Sequence, residues 1–383
     1  MLQLPPLSLY IHVPWCVQKC PYCDFNSHAQ KGELPHLEYV AALLEDLDLD
    51  LDLKWAQGRP LSSIFIGGGT PSLLTVEAMQ TLLDGVRARI PLTPDCEITM
   101  EANPGTVEAD KFAGFKQAGI NRISIGVQSF QQEKLARLGR IHGPEEARKA
   151  AALAHAIALP TFNLDLMHGL PDQNLDDALY DLQQAIDCAP PHLSWYQLTI
   201  EPNTAFASKP PRLPEDDTLW DIYEQGHAML TARGYQQYEI SAYAKAGYQC
   251  RHNLNYWRFG DYLGIGCGAH GKMTDLASGQ ILRSAKVKHP KGYLDPARPY
   301  LDKQWQVTED ELPLEYFMNR FRLFEPAPKA EFEAYTGLGL ERVETMLAIA
   351  QTKELIEDLG DCWQLTALGH RYLNVLLELF MDE

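Results

Sequence analysis

Basic side chains are in short supply. Lys and Arg number 33 against 51 Asp and Glu, giving a formal net charge of −18 over 383 residues. A phosphate backbone repels such a surface, and no local basic stripe offsets it, so nucleic acid is not an expected partner. Long apolar runs are missing too, since none approaches the roughly 20 residues of a membrane span. The first residues, Met1-Leu2-Gln3-Leu4-Pro5-Pro6, lack the basic and then apolar pattern of a secretory signal, so a cytoplasmic location is expected. No repeat of fixed period and no low-complexity tract is present. Hydrophobic residues at 45% and charged residues at 22% are nevertheless ordinary globular proportions, ample for a sizeable core.

Paired cysteines are the last absence. Of eight cysteines, three fall at positions 16, 20 and 23, while Cys96, Cys188, Cys250, Cys267 and Cys362 are scattered. In a reducing compartment such a group is metal-binding or redox-active rather than a disulfide frame. Three thiolates at this spacing reach three corners of one iron–sulfur cubane, and no fourth ligand follows nearby, which leaves one iron open. The alternatives are a zinc-stabilised scaffold or plain buried thiols, but structural zinc usually takes four protein ligands, commonly in two pairs.

Six apolar, β-branched runs recur, each followed by a helix-like stretch: Leu7–Val13, Ser63–Gly67, Glu97–Glu101, Arg122–Val127, Phe162–Met167 and Leu193–Ile200. That order predicts a parallel sheet covered by helices. The segment Asp46–Leu53 alternates with period two, as a strand does, yet Val40, Leu43, Leu44, Leu47 and Leu51 keep helical spacing. A crossover helix is needed there, and a helix is predicted. Cys16, the turn Gly67-Gly68-Gly69-Thr70, Glu101, Gln128 and Asp165 all fall at strand ends, which in a (β/α) barrel share one mouth. Five polar signals at one face point to a site rather than to packing. Gly67–Gly69 taken alone is equally a tight strand-to-helix turn.

Beyond about residue 205 the pattern loosens. Lys209–Pro214 reads as a linker, Tyr235–Ser241 as a further strand, and Tyr248–Gly271 is rich in His, aromatics and Gly. From about Val307 a helical stripe of Leu314, Phe317, Met318, Phe321 and Phe324 precedes a hairpin-like Leu355–Leu365 between helices. The expected fold is therefore α/β: a partial (β/α)6 TIM-like barrel with a small C-terminal α+β domain of winged-helix-like order. The expected division is 1–205 for the barrel core, 206–306 for an extension and 307–383 for a cap.

The string Tyr10-Ile11-His12-Val13-Pro14-Trp15-Cys16, with Cys-x-x-x-Cys-x-Tyr-Cys after a first strand, resembles the radical S-adenosylmethionine superfamily in its coproporphyrinogen dehydrogenase branch. The likeness extends through Gly-Gly-Gly-Thr-Pro-Ser at 67–72, Glu-Ala-Asn-Pro at 101–104, Gly-Val-Gln-Ser-Phe at 126–130, Asn-Leu-Asp-Leu-Met-His-Gly-Leu-Pro at 163–171 and His-Asn-Leu-Asn-Tyr-Trp at 252–257, nearly the whole chain. The resemblance implies a [4Fe–4S] cluster on Cys16, Cys20 and Cys23 with S-adenosylmethionine on the open iron. By position, Tyr10, Gly68, Gly69, Thr70, Glu101, Gln128, Arg140 and Asp165 match nucleotide-contacting residues. For Arg140 a structural ion pair with the acids at the mouth stands as an equal alternative.

Two departures bear on the branch. The dehydrogenase carries a further cysteine two residues past the third ligand, where this chain has Phe25, and an N-terminal extension for which there is no room before Leu7. The string at 252–257 instead resembles the motif of haem chaperones within the same branch. The resemblance then implies a protein that binds haem and passes it to acceptor haem proteins, with the cytoplasmic face of a membrane as one place for the transfer. His252 is the expected axial ligand, His270 the second choice, and Tyr256 and Trp257 are expected against the porphyrin. Cys20-Pro21 also matches a short haem-regulatory dipeptide, but Cys20 is needed for the cluster. Oxygen-independent coproporphyrinogen oxidation is the alternative activity.

Overall fold

The computed structural model describes residues 1–381 apart from 55, 57 and 107. All six apolar runs form strands: β1 (Leu7–Val13), β2 (Leu61–Gly68), β3 (Leu92–Ala102), β4 (Arg122–Gln128), β5 (Thr161–His168) and β6 (His192–Gln197). They pair in that order, all parallel. Helices cross between them, and Leu9, Ile11, Ile64, Ile66, Ile123, Ile125, Leu164 and Leu193 are fully buried under those helices. Strands enclosed on both faces need no polar alternation, which is why they read as continuous apolar runs.

The ambiguous stretch is helical, His36–Asp52. Its leucines Leu43 and Leu47 are buried while Leu49 and Leu53 lie open to solvent, so helical periodicity overrode the two-residue alternation. Two of its aspartates, Asp46 and Asp50, are buried because Lys286 reaches both at 2.6 Å.

The sheet continues past both edges. At one edge β7 (Gln236–Glu239) and β8 (Ala242–Ala244) add antiparallel strands. At the other, β9 (Asp261–Ile265) runs parallel to β1, followed by β10 (His270–Asp275), β11 (Gln280–Lys286) and β12 (Leu301–Gln306). The twelve strands do not close, so the barrel is partial.

The C-terminal region has its own core around Phe317, Phe332, Trp363 and Phe380. Helix Leu312–Arg320 is followed by strand Ala327–Pro328, helices Lys329–Thr336 and Glu344–Thr352, and a hairpin of Ile356–Asp358 with Cys362–Leu365. This is the expected winged-helix-like order. Two members of the predicted stripe depart from it: Met318 is exposed, and Phe324 lies past the helix end, stacked on His370 at 3.9 Å. The region joins the barrel through a bridge between Glu239 and Leu323 and through Arg258, whose fork meets both Glu325 oxygens at 2.8 and 2.7 Å.

Lys286 also supports the mouth at a distance. Asp46 accepts from Gly266 N–H and Tyr293 O–H, Tyr39 O–H receives Cys267 N–H, and Asn26 of the cysteine loop donates to Cys267 O at 2.9 Å. Lys286→Met leaves two buried carboxylates facing each other. We expect a loss of about 3–5 kcal/mol in urea unfolding, and an unchanged midpoint contradicts the network's role.

Candidate functional site

Strand β1 delivers the cysteine loop to the C-terminal edge of the sheet. There Trp15–Cys16 pairs with His28–Ala29, closing the loop on itself. Lys19 Nζ donates to the carbonyls of Phe25 and Ser27, and His12 Nε2 lies 2.8 Å from Asn26 O. The next strand brings its glycine turn against this loop: Gly69 N–H donates to Val13 O and Thr70 N–H to Trp15 O, both at 2.7 Å. A Cβ on Gly69 would sit 2.5 Å from Trp15 O, and one on Gly68, whose φ is +109°, would sit 2.4 Å from the His12 ring. Only glycine permits this approach. The tight-turn requirement is thus met whether or not a ligand also rests there.

Over the turn lies a cavity of about 550 Å³ lined by all three cysteines, Gly68, Gly69, Thr70, Glu101, Gln128, Arg140 and Asp165. Every polar signal expected at a shared mouth is on its wall. Tyr10 is not. Its hydroxyl lies 3.0 Å from His12 Nδ1.

The two acids are deeply placed. Glu101 Oε2 accepts from Gly68 N–H at 3.0 Å, and burial, then the neighbouring Asp165 charge, push its pKa up to about 7. Asp165 is held by Ser124 Oγ at 2.9 Å and Asn163 Nδ2 at 2.7 Å, and burial raises its pKa as well. Arg140 donates to Gly126 O at 2.5 Å and reaches Cys20 Sγ at 3.7 Å, with its Nε buried and unpartnered. Among the described residues it makes no carboxylate pair, so the ion-pair alternative is not what the structure shows. Gln128 has a left-handed φ of +69° and accepts from Tyr196 O–H at 2.8 Å, a strained backbone at a strand end of the kind that gathers at functional sites.

The cysteines fit an iron–sulfur cluster better than zinc. All three thiols are free and face one cavity, and no fourth cysteine or histidine is among the described residues lining it, as a structural zinc would want. A cubane spreads its irons over separate corners. Burial raises the pKa of Cys16 and Cys23, so their thiolates want the positive charge that iron supplies.

His252 is elsewhere. Helix Arg251–Trp257 starts on Glu97, which accepts from the N–H groups of Arg251 and His252 at 3.1 Å each. The His252 ring is 0% exposed, bonded through Nδ1 to Ser63 Oγ at 2.9 Å and packed on Phe65 and Tyr256, while its Nε2 has no partner. Burial drives its pKa down to about 3. The faces of this helix divide by i, i+4 spacing: His252 and Tyr256 turn away from the cavity, whereas Asn253 and Trp257 line it. His270 is exposed at the start of β10 and is not on the cavity wall.

Glu239 and Arg322 also line the cavity and were not foreseen from sequence. Arg322 arrives from the C-terminal region, and no local pattern signals that a residue so far along the chain completes a barrel mouth.

Known proteins place the chain. The Radical SAM superfamily matches residues 10–184 and the HemN C-terminal domain matches 307–372. The chain is 65% identical to the heme chaperone HemW of Escherichia coli K12 over 383 residues and 59% identical to that of Haemophilus influenzae over 385, covering 100% of each chain. With the Bacillus subtilis HemW it shares 33% over 98% of this chain and 99% of the other. Among solved structures, the coproporphyrinogen III oxidase HemN of Escherichia coli superposes with a TM-score of 0.82 at 23% identity, over 98% of this chain and 90% of that one, which speaks for the fold. With a cysteine loop, glycine turn and paired acids around one barrel mouth and full-length identity of this order, the chain belongs to the HemW family of the radical SAM superfamily.

Proposed function

We propose that this chain binds haem and passes it to acceptor haem proteins, carrying a [4Fe–4S] cluster and S-adenosylmethionine at the barrel mouth. The observation that carries the reading is the 65% identity, over the whole of both chains, to a protein named heme chaperone HemW. Coproporphyrinogen oxidation has less support: Phe25, 59% exposed on the cavity lip, stands where that enzyme type has its extra cysteine. Among the described residues no helix is long and apolar enough to cross a membrane, and we place the transfer in the cytoplasm, its membrane face included.

Cys16, Cys20 and Cys23 would hold three irons of the cluster and leave one without a protein ligand. Bound there, the cluster supplies an open coordination position and single electrons. Gly68, Gly69 and Thr70 border the methionyl end, and their close backbone seat fixes that border relative to the cysteines. Glu101 and Asp165 accept hydrogen bonds from hydroxyls or an ammonium, and Arg140 offers its unpartnered Nε–H to a carboxylate. Gln128, held by Tyr196, presents its remaining amide group. Tyr10 acts through His12, by steadying the cysteine loop. His252 meets haem iron only if its ring is uncovered, because it is packed on Phe65 and Tyr256 and closed to solvent.

Three measurements follow. Cys20→Ala should lose iron and sulfide together, and zinc in the purified protein contradicts the cluster. Nucleotide binding should depend on pH through Glu101, whose ionised carboxylate accepts from Gly68 N–H and from the ligand more strongly than the neutral acid does. With its pKa near 7, affinity should fall by up to about tenfold per pH unit on the acid side and protons should be released on binding. Glu101→Gln should flatten that profile, and an unaltered slope removes Glu101 from the site. In an anaerobic haem titration of reconstituted protein, saturation near one haem per chain is expected, and no specific binding overturns the function. If His252 ligates, His252→Ala shifts the Soret band; a drop in stability with an unshifted band assigns His252 only the buried role seen here.

A further inference from the structure

The end of the cavity away from the cysteines is built where the C-terminal region meets the barrel edge. Ile240 N–H donates to Arg322 O and Phe324 N–H to Tyr238 O, at 3.1 and 3.0 Å, fixing the backbone on both sides of Arg322. Its guanidinium lies over the Trp257 ring, 4.2 Å from the centroid. Opposite stands Glu239, 3% exposed, with Oε1 taken by Ser241 N–H at 3.1 Å. Its Oε2 is 3.7 Å from Arg322 Nη2, too long for a hydrogen bond.

Three buried polar atoms are left over here: Arg322 Nε, Trp257 Nε1 and Glu239 Oε2 have no hydrogen-bond partner. All three residues line the same cavity, as does Asn253 one turn before Trp257. Buried groups of this kind normally find partners, and leaving one unmet costs about 1–3 kcal/mol. Two of the three are donors, one of them cationic, and each belongs to a residue on the wall of the cavity. An acceptor with negative charge satisfies both.

We infer that Arg322 and Trp257 form a carboxylate subsite that takes an acidic arm of the tetrapyrrole. This rests on the haem-binding reading above and assigns one end of the ligand within it. The guanidinium lies over the indole, 4.2 Å from its centroid, and its unpartnered Nε–H is the donor offered to the carboxylate. Glu239 is the internal competitor: its loose pairing holds Arg322 in place without saturating it, and the arriving carboxylate takes over the cation. Burial already raises the Glu239 pKa, so the protein tolerates a proton on it when a second carboxylate approaches.

The test compares haem with its dimethyl ester, which keeps ring and iron but has no carboxylate, on cluster-reconstituted full-length protein. Arg322→Gln should weaken haem by about tenfold or more and leave the ester and S-adenosylmethionine affinities as they were. Arg322→Lys should recover part of the loss, and Glu239→Gln should tighten haem by removing the competitor. Equal weakening of haem and ester by Arg322→Gln, or no change in either, overturns the subsite. Failure of the unaltered protein to bind haem overturns the function itself and takes the subsite's ligand with it, a result distinguishable because it appears before any substitution.

Discussion

The two N–H···O bonds that seat the glycine turn on the cysteine loop are the contact on which the rest of the mouth depends. They hold Gly69 and Thr70 at 2.7 Å from the carbonyls of Val13 and Trp15, a distance that leaves no room for a Cβ on residue 69. The cysteine loop and the glycine turn are therefore seated directly on one another. Below them, Tyr10, His12 and Asn26 form a chain of contacts, and Asn26 carries the restraint across to Cys267 and Lys288 on the far sheet edge. Three thiols on a short loop cannot stay in place by themselves; rigid second contacts are what preorganise such a site.

Opposite this rigid end, the cavity is closed by parts that are distant in sequence. The helix Arg251–Trp257 leans on Glu97 at its start and on the C-terminal region through Arg258 and Glu325 near its end. One face of it is structural, the other lines the cavity. A motif read as a single haem-binding string thus serves two purposes, with His252 and Tyr256 enclosed and Asn253 and Trp257 presented.

Much of the fold was legible because buried parallel strands have a plain signature. Each of the six runs became a strand, and the polar residues at their ends met at one cavity because parallel strands all carry their C-terminal ends to the same side. The helix over Asp46–Asp52 was legible from Leu43 and Leu47 despite the alternating aspartates, two of which found Lys286 far along the chain. Tyr10 and His12 sit two apart on β1 and their side chains meet at 3.0 Å, a contact that the apolar run does not signal. His252 was expected in the site because an imidazole beside aromatics reads the same whether it faces a ligand or Ser63 and Phe65. Arg322 and Glu239 carried no signal at all, since their meeting depends on how the C-terminal region docks on the barrel edge.

The central claim is that haem is held in order to be given away. The most direct measurement loads the reconstituted protein with haem and follows its loss to an apo-form haem protein of the same cell, beside a passive haem scavenger. The account predicts a transfer rate that climbs with acceptor concentration and exceeds the rate to the scavenger, as direct hand-over requires. Equal, concentration-independent rates to both would mean that haem merely dissociates, and would contradict it.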